Sequence, residues 1–180
     1  MNSLAAVAVG TDLGVPFDQV RGGLESFTGV DRRFQQRGSA AGVTVIDDYG
    51  HHPTEIRATL ETLRVVAGPR RTVVLFQPHR FSRTQQLWDE FCHAFHLADV
   101  LLVTDIYPAG EEEVPGVTAE ALAGAIAGRG HRQAAYAGDL RSATERLAEE
   151  AREGDVVLTL GAGSVWTAGE DLLKRRSGGG

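Results

Sequence analysis

Apolar residues along this chain fall into short runs, rich in β-branched residues, set between longer stretches with helical spacing. Val43-Thr44-Val45-Ile46, Thr72-Val73-Val74-Leu75-Phe76, Val100-Leu101-Leu102-Val103 and Val156-Val157-Leu158-Thr159-Leu160 have the continuous hydrophobicity of strands buried on both faces. Gln133-Ala134-Ala135-Tyr136 reads as a shorter strand. Helical spacing runs from Pro53 to about Ala67, Ser82 to Leu97, Thr118 to Ala127 and Leu140 to Arg152, with a last helix from about Ser164. This alternation of strand and helix implies right-handed crossovers and a mostly parallel sheet flanked by helices, an α/β fold.

Two further helical patterns precede the alternation. One covers residues 2 to 10 and ends at Gly10; the other starts near Pro16 and runs through Val20, Leu24 and Phe27. They form a small helical pair, and a domain boundary is expected near Thr28, separating residues 1–27 from 28–176. Arg32-Arg33-Phe34 then leads into an edge strand with a turn at Arg37-Gly38-Ser39. The chain opens inside a helical pattern with no N-cap in front of it, and both ends read as truncated or engineered. The tail at residues 177–180, Ser-Gly-Gly-Gly, is expected to be flexible.

Composition narrows the class without changing this picture. The 180 residues are 42% hydrophobic and 23% charged, ordinary for a soluble chain with a core. A formal charge of −6 offers no general attraction to nucleic acid or an anionic membrane. The single cysteine, Cys92, cannot form an internal disulfide, and neither a secretory signal nor a long apolar segment is present. A cytoplasmic protein is expected, with neither nucleic acid nor membrane as partner.

Ligands of open parallel sheets bind beyond the carboxyl ends of the strands. Four segments occupy that position: Asp47 to His52, Gln77 to Arg83, Asp105 to Glu111, and Gly161 to Ser164. The richest is Asp47-Asp48-Tyr49-Gly50-His51-His52-Pro53-Thr54-Glu55, between a predicted strand and a predicted helix. Pro53 suits the first helical turn, and Thr54 and Glu55 supply acceptors and compensating charge.

In His79-Arg80-Phe81-Ser82-Arg83, two guanidiniums lie about a helical turn apart beside an imidazole. They suit a carboxylate or phosphate, with help from helix-end N–H groups, or else pair with surface carboxylates. Asp47 and Asp48 point to opposite sides of their strand, so one is expected at a ligand (a ribose hydroxyl, the water shell of a cation or an ammonium) and the other on a cap or an arginine. Adjacent His51 and His52 lack the spacing of a helical zinc motif, and no metal site is expected; His51 fits hydrogen bonding or proton transfer beside an anion, and His52 a cap. No role is given to His93 or His96. Gly161-Ala162-Gly163 reads as a tight turn more readily than as half a dinucleotide fingerprint, and Glu111-Glu112-Glu113 as a solvated acidic loop. The phosphate loop G-x-x-x-x-G-K-[ST] is absent, so groups cradling ATP β- and γ-phosphates are not in this chain.

Taken together, Gly29-Val30-Asp31-Arg32-Arg33-Phe34-Gln35, the Asp47 to Ile56 segment, Phe76 to Thr84, Tyr107-Pro108-Ala109-Gly110-Glu111 and Leu160 to Trp166 resemble the Mur ligases of bacterial cell-wall synthesis. The pieces run in family order over nearly the whole chain. The resemblance implies a Rossmann-like, doubly wound C-terminal domain preceded by the helical end of a central ATPase domain, with the N-terminal and central domains missing. Within the family it points to ATP- and Mg²⁺-dependent joining of L-alanine to UDP-N-acetylmuramate for peptidoglycan, by an enzyme inactive as this fragment alone. It implies that His79, Arg80 and Arg83 hold the alanine carboxylate, that His51 lies near its amine, and that Asn2, Asp48 and Tyr49 face the adenosine. Phe81 stands where the family often has Tyr. The alternatives are a ligase that recycles a tripeptide onto UDP-N-acetylmuramate, which would lack the His-Arg-x-x-Arg run, and a nucleotide- or anion-binding module without chemistry.

Overall fold

The computed structural model describes residues 2–27 and 30–178, and of Asn2 the backbone alone. The chain divides into two compact units between Asp31 and Arg32. The first contains the two expected helices, α1 (Asn2–Asp12) and α2 (Phe17–Glu25). The boundary predicted near Thr28 falls outside the described residues, as do residues 179 and 180 of the tail; Ser177 closes the last helix.

The second unit runs β1 (Gln35–Ala40), β2 (Val43–Asp48), α3 (Pro53–Ala67), β3 (Thr72–Phe76), α4 (Phe81–Gln86), α5 (Trp88–Cys92), β4 (Val100–Val103), α6 (Ala119–Gly128), β5 (Ala134–Tyr136), α7 (Leu140–Glu150), β6 (Val156–Leu160) and α8 (Trp166–Ser177). Its six strands form one sheet in the order β1-β2-β6-β3-β4-β5. All neighbours are parallel except β1 on β2.

Alternation along each strand feeds two cores. Val74 and Phe76 face a layer built with Ile56 and Leu60 of α3, Phe91 of α5 and Leu122 of α6. Val73 and Leu75 face the opposite layer, with Leu147 of α7 and Leu172 of α8. Helices thus cover both faces, which is the doubly wound, Rossmann-like α/β arrangement, and the central strands read as unbroken apolar runs because neither face meets water. Each fully buried leucine contributes roughly 1.5–3 kcal/mol of transfer free energy.

Two expectations are corrected. The helix predicted from Ser82 to Leu97 is two short helices broken at Leu87 (φ −109°, ψ 24°), where Leu87 and Trp88 both turn onto the apolar layer. The turn predicted at Arg37-Gly38-Ser39 is a bulge: the register of β1 on β2 slips between Gln36 and Gly38 and pairing continues to Ala40. The reversal comes at Ala41 (φ 46°) and Gly42 (φ 75°), and two successive positive φ values are what a twisted two-residue hairpin loop demands.

Start signals are satisfied as written in the sequence. His52 caps α3, its Nδ1 accepting the Thr54 N–H, while the Glu55 carboxylate reaches back to the N–H groups of His51 and His52. Thr118 and Asp139 cap α6 and α7 with their side-chain oxygens, which accept the Ala121 and Ser142 N–H groups. Among the described residues, no helix is long and apolar enough to cross a membrane.

His131, just after α6, is buried, and its Nε2 has no hydrogen-bond partner among the described residues. Burial, helped by nearby His96, pushes its pKa below the ordinary histidine value. The unfolded chain then takes up the proton first. This contribution to stability is therefore complete above the unfolded pKa of about 6.5 and is lost as pH falls toward the lower folded value. Thermal melts should show a drop in Tm between pH 7.5 and 5.5 that His131→Phe reduces; equal drops in both proteins would refute this origin.

Candidate functional site

Parallel register brings the four loops together. Asp48 at the end of β2 aligns with Leu160 of β6, Leu160 with Phe76 of β3, and Phe76 with Val103 of β4. The segments that follow therefore leave one sheet margin side by side.

On the β2 side, both acidic residues turn into the chain. Asp47 is fully buried and accepts from Arg32 Nε (2.9 Å) and Thr159 Oγ1 (2.7 Å). Asp48, expected at the adenosine, is also buried, and both its oxygens are engaged: Oδ2 accepts the Phe34 N–H, and Oδ1 accepts the Gly50 N–H and the Thr59 hydroxyl. Its carboxylate holds the turn that presents Tyr49. Tyr49 is 36% exposed, and its ring has the guanidiniums of Arg32 and Arg33 at 5.1 and 5.7 Å and His51 edge-on at 5.6 Å.

Arg32 was not singled out by sequence pattern. Besides Asp47, it donates to the carbonyls of Gly163 (3.0 Å) and Gly161 (2.6 Å), and its own carbonyl accepts the Tyr49 N–H (2.7 Å). One side chain thus ties the entry to β1, the end of β2 and the loop after β6. Hydrophobic periodicity carries no signal for such a role.

His51 Nδ1 lies 3.1 Å from the Tyr49 carbonyl and 3.8 Å from Glu55 Oε2. A carbonyl can only accept, so Nδ1 carries the proton in the neutral ring and Nε2 is left as an acceptor. For Glu55, burial raises the pKa, but the N–H groups of His51 and His52 and the charges of His51 and Arg33 outweigh it and hold the carboxyl below its usual value.

The His79 ring lies 5.8 Å from that of His51. Its Nδ1 is 3.2 Å from Arg83 Nη1, and a guanidinium can only donate, so here the proton sits on Nε2. The two imidazoles are therefore in opposite tautomers. Burial, then the charges of Arg83, His51 and Arg80, keep His79 below the ordinary histidine pKa against a weaker opposing effect of Glu111. Tyr107 stacks on its ring at 5.5 Å and 12°.

Arg80 has φ 73°, donates its backbone N–H to the Tyr107 carbonyl and keeps a half-exposed guanidinium 4.0 Å from Glu111. Glu111 corrects the expectation of a solvated acidic loop: its carboxylate accepts the Ser82 N–H (3.0 Å) and hydroxyl (2.7 Å). These bonds lower its pKa, chiefly the hydroxyl bond. They also occupy the Ser82 N–H at the start of the six-residue α4.

The tight-turn reading of Gly161-Ala162-Gly163 fits the packing. A Cβ at Gly161 would lie 2.7 Å from the Gln77 carbonyl, and one at Gly163 would lie 2.8 Å from Tyr107 Cγ. Both glycines let neighbouring loops close in. His93 and His96 pair with each other away from this margin. Asn2 belongs to the first unit, and its side chain lies outside the described residues. Among the described residues no group of three His, Cys, Asp or Glu is arranged to hold a metal ion. An open pocket of about 820 Å³ beyond Phe81 and Glu111 is lined by Asp105, Glu112 and Glu113 and includes none of His51, His79 or Arg83.

Comparison with known proteins gives a consistent result. Residues 32–163 match the family described as "Mur ligase, glutamate ligase domain". The UDP-N-acetylmuramate--L-alanine ligase of Solibacter usitatus is 56% identical over 97% of this chain and 37% of its own length, and that of Geobacter sp. strain M21 is 50% identical over 97% and 38%. The crystal structure of the UDP-N-acetylmuramate-alanine ligase of Thermotoga maritima superposes with a TM-score of 0.76 at 31% identity, over 97% of this chain and 36% of that one. A murein peptide ligase from Psychrobacter arcticus shares the fold at 23% identity and a TM-score of 0.71, over 98% of this chain and 36% of its own. The chain thus spans under two-fifths of the length of these relatives. With the family's domain matched over residues 32–163, most of the second unit, and with relatives about half identical over nearly the whole chain, this chain belongs to the Mur ligase family.

Proposed function

We propose that this chain is the C-terminal, amino-acid-positioning part of an ATP-dependent ligase that joins L-alanine to UDP-N-acetylmuramate in peptidoglycan synthesis. The observation that carries the proposal is the convergence of His51, His79 and Arg83 on one margin, with the two imidazoles held in opposite tautomers. One offers a lone pair and the other an N–H, which are the complementary groups that an amino acid presenting an amine and a carboxylate requires.

Arg80 and Arg83 take the alanine carboxylate, where guanidinium forks match carboxylate geometry. The Nε2–H of His79 donates to the same carboxylate. Because His79 is held neutral near pH 7, it adds a donor without adding a third positive charge that would repel an ammonium. His51 Nε2 faces the amine and takes its proton. Orienting the amine toward its acyl partner contributes several kcal/mol, roughly the magnitude known for positioned reactants.

Tyr49, flanked by Arg32 and Arg33, offers a ring and guanidinium charge to an adenosine, and Asp48 positions it. ATP supplies the phosphoryl group that activates the sugar-nucleotide carboxylate, and its phosphates and Mg²⁺ are held outside this chain. That fits the lack of a phosphate loop in the sequence. A reaction that consumes ATP and a nucleotide sugar places the enzyme in the cytoplasm.

The test is a chimera in which this chain replaces the matching segment of the Solibacter usitatus enzyme. Formation of UDP-N-acetylmuramoyl-L-alanine from ATP and L-alanine is expected, with no product from the isolated chain. A chimera that accepts only a tripeptide would shift the reading to a recycling ligase. A folded chimera that binds nucleotide but neither amino donor would leave a binding module.

A further inference from the structure

Tyr107 lies in the loop after β4, yet its backbone is laced to the loop after β3. Its N–H donates to the Pro78 carbonyl and its carbonyl accepts the Arg80 N–H, both at 2.8 Å, so that His79 and Tyr107 sit opposite each other in an isolated parallel bridge. Bridge pairing alone would leave the ring free to rotate, but it is packed on two groups. It stacks on the His79 imidazole, and it presses so closely on Gly163 that a Cβ there would lie 2.8–2.9 Å from Cγ and Cδ2. Tyr107 is still 39% exposed, so it belongs to the margin and not to either apolar layer. Its contacts with His79 and Gly163 are made by the ring.

We propose that Tyr107 is a positioning residue for His79: its ring, braced on the Gly163 backbone, holds the imidazole in the plane where Nδ1 takes the Arg83 N–H and Nε2–H remains free to meet the amino acid. The use of Nε2–H rests on the function proposed above; the bracing does not. An imidazole joined to Arg83 by one hydrogen bond can turn about its Cβ–Cγ bond and lose that bond, since this torsion is broad unless packing restricts it. The stacked ring supplies the restriction. The charged and titratable groups facing His79 come from its own turn (Arg80 and Arg83), from the loop after β2 (His51) and from the loop after β4 (Glu111). Removing the Tyr107 ring leaves all of these in place and changes only the packing.

Nitrogen NMR of the ¹⁵N-histidine-labelled chain, titrated from pH 5 to 8, tests this directly, with His79→Gln identifying the signal. In the unsubstituted chain His79 should show a protonated Nε2, an unprotonated Nδ1 and a midpoint below that of an ordinary histidine. Tyr107→Phe should reproduce all three. Tyr107→Ala should populate both tautomers and move the midpoint toward the ordinary value. Tyr107→Leu, which keeps apolar bulk but has no ring face, should do the same and guards against misfolding of the alanine variant. A single unchanged tautomer and midpoint in either folded variant would overturn the proposal.

In the chimera, Tyr107→Ala should raise the KM for alanine about tenfold or more, as a small misplacement of a positioned group does, while the KM for ATP and the activity of Tyr107→Phe stay near the unsubstituted values. An inactive unsubstituted chimera would count against the ligase reading and leave the NMR result standing. Equal changes in both KM values would instead mark Tyr107 as merely structural.

Discussion

Arg32→Met should lower the unfolding free energy by about 3–5 kcal/mol, the range found when one partner of a buried ion pair is removed. Asp47 has no exposed surface, and Arg32 is its only cationic partner among the described residues. Methionine fills most of the vacated volume, so the loss reads as an uncompensated carboxylate together with the Gly161 and Gly163 carbonyls, which lose their donors. Urea denaturation followed by circular dichroism measures it. Arg33→Met, on an exposed side chain whose ion pair with Glu55 spans 4.0 Å, should stay within about 0.5 kcal/mol. Pairing Arg32→Met with Asp47→Leu should recover much of the loss, because replacing both partners removes the stranded charge. A cost below about 1 kcal/mol for Arg32→Met alone would mean that this guanidinium does not tie the margin together.

In the chimera, Arg83→Ala should reduce kcat/KM for alanine by about 30- to 1000-fold, or roughly 2–4 kcal/mol of transition-state stabilisation. Two losses combine in this variant. Arg83 is proposed to hold the carboxylate, and its Nη1 also fixes the His79 tautomer, so its removal withdraws one donor and disorders another. Arg83→Lys restores the charge without the planar fork and should recover only a minor part. The KM for ATP should not change, and the melting temperature should move little, since among the described residues the side-chain hydrogen bonds of Arg83 go only to His79. A decrease in kcat/KM smaller than about threefold would remove Arg83 from the carboxylate site.

What could be read from sequence depended on whether the controlling interaction was local. The strands at 72–76, 100–103 and 156–160 and the helix at 53–67 were legible because uninterrupted apolar runs, Pro53 at the helix start and Glu55 three residues after its cap are local signals. The break at Leu87 was not, since no glycine or proline marks it and the cause is the packing of Leu87 and Trp88 on a layer formed by distant elements. The hairpin turn was misplaced because Gly38-Ser39 is the stronger turn signal by residue type, whereas Ala41 carries an unusual positive φ that pairing of β1 with β2 imposes. At the margin, His51, His79, Arg80 and Arg83 were found because their chemistry is visible in their residue types. Arg32, Tyr107 and Glu111 act on groups 131, 28 and 29 positions away, on Gly163, His79 and Ser82, and spacing says nothing about such contacts.

The strand order also has a consequence for synthesis. β6, last of the six strands in sequence, lies between β2 and β3 and, among the described residues, alone joins the β1-β2 hairpin to the β3-β4-β5 block. A nascent chain lacking residues 156–160 exposes two unpaired parallel edges, which is the state most prone to mispairing with another chain. Assembly of the sheet must then wait until Val156 to Leu160 have been made, and a stop codon before Val156 should yield aggregate instead of a smaller folded domain.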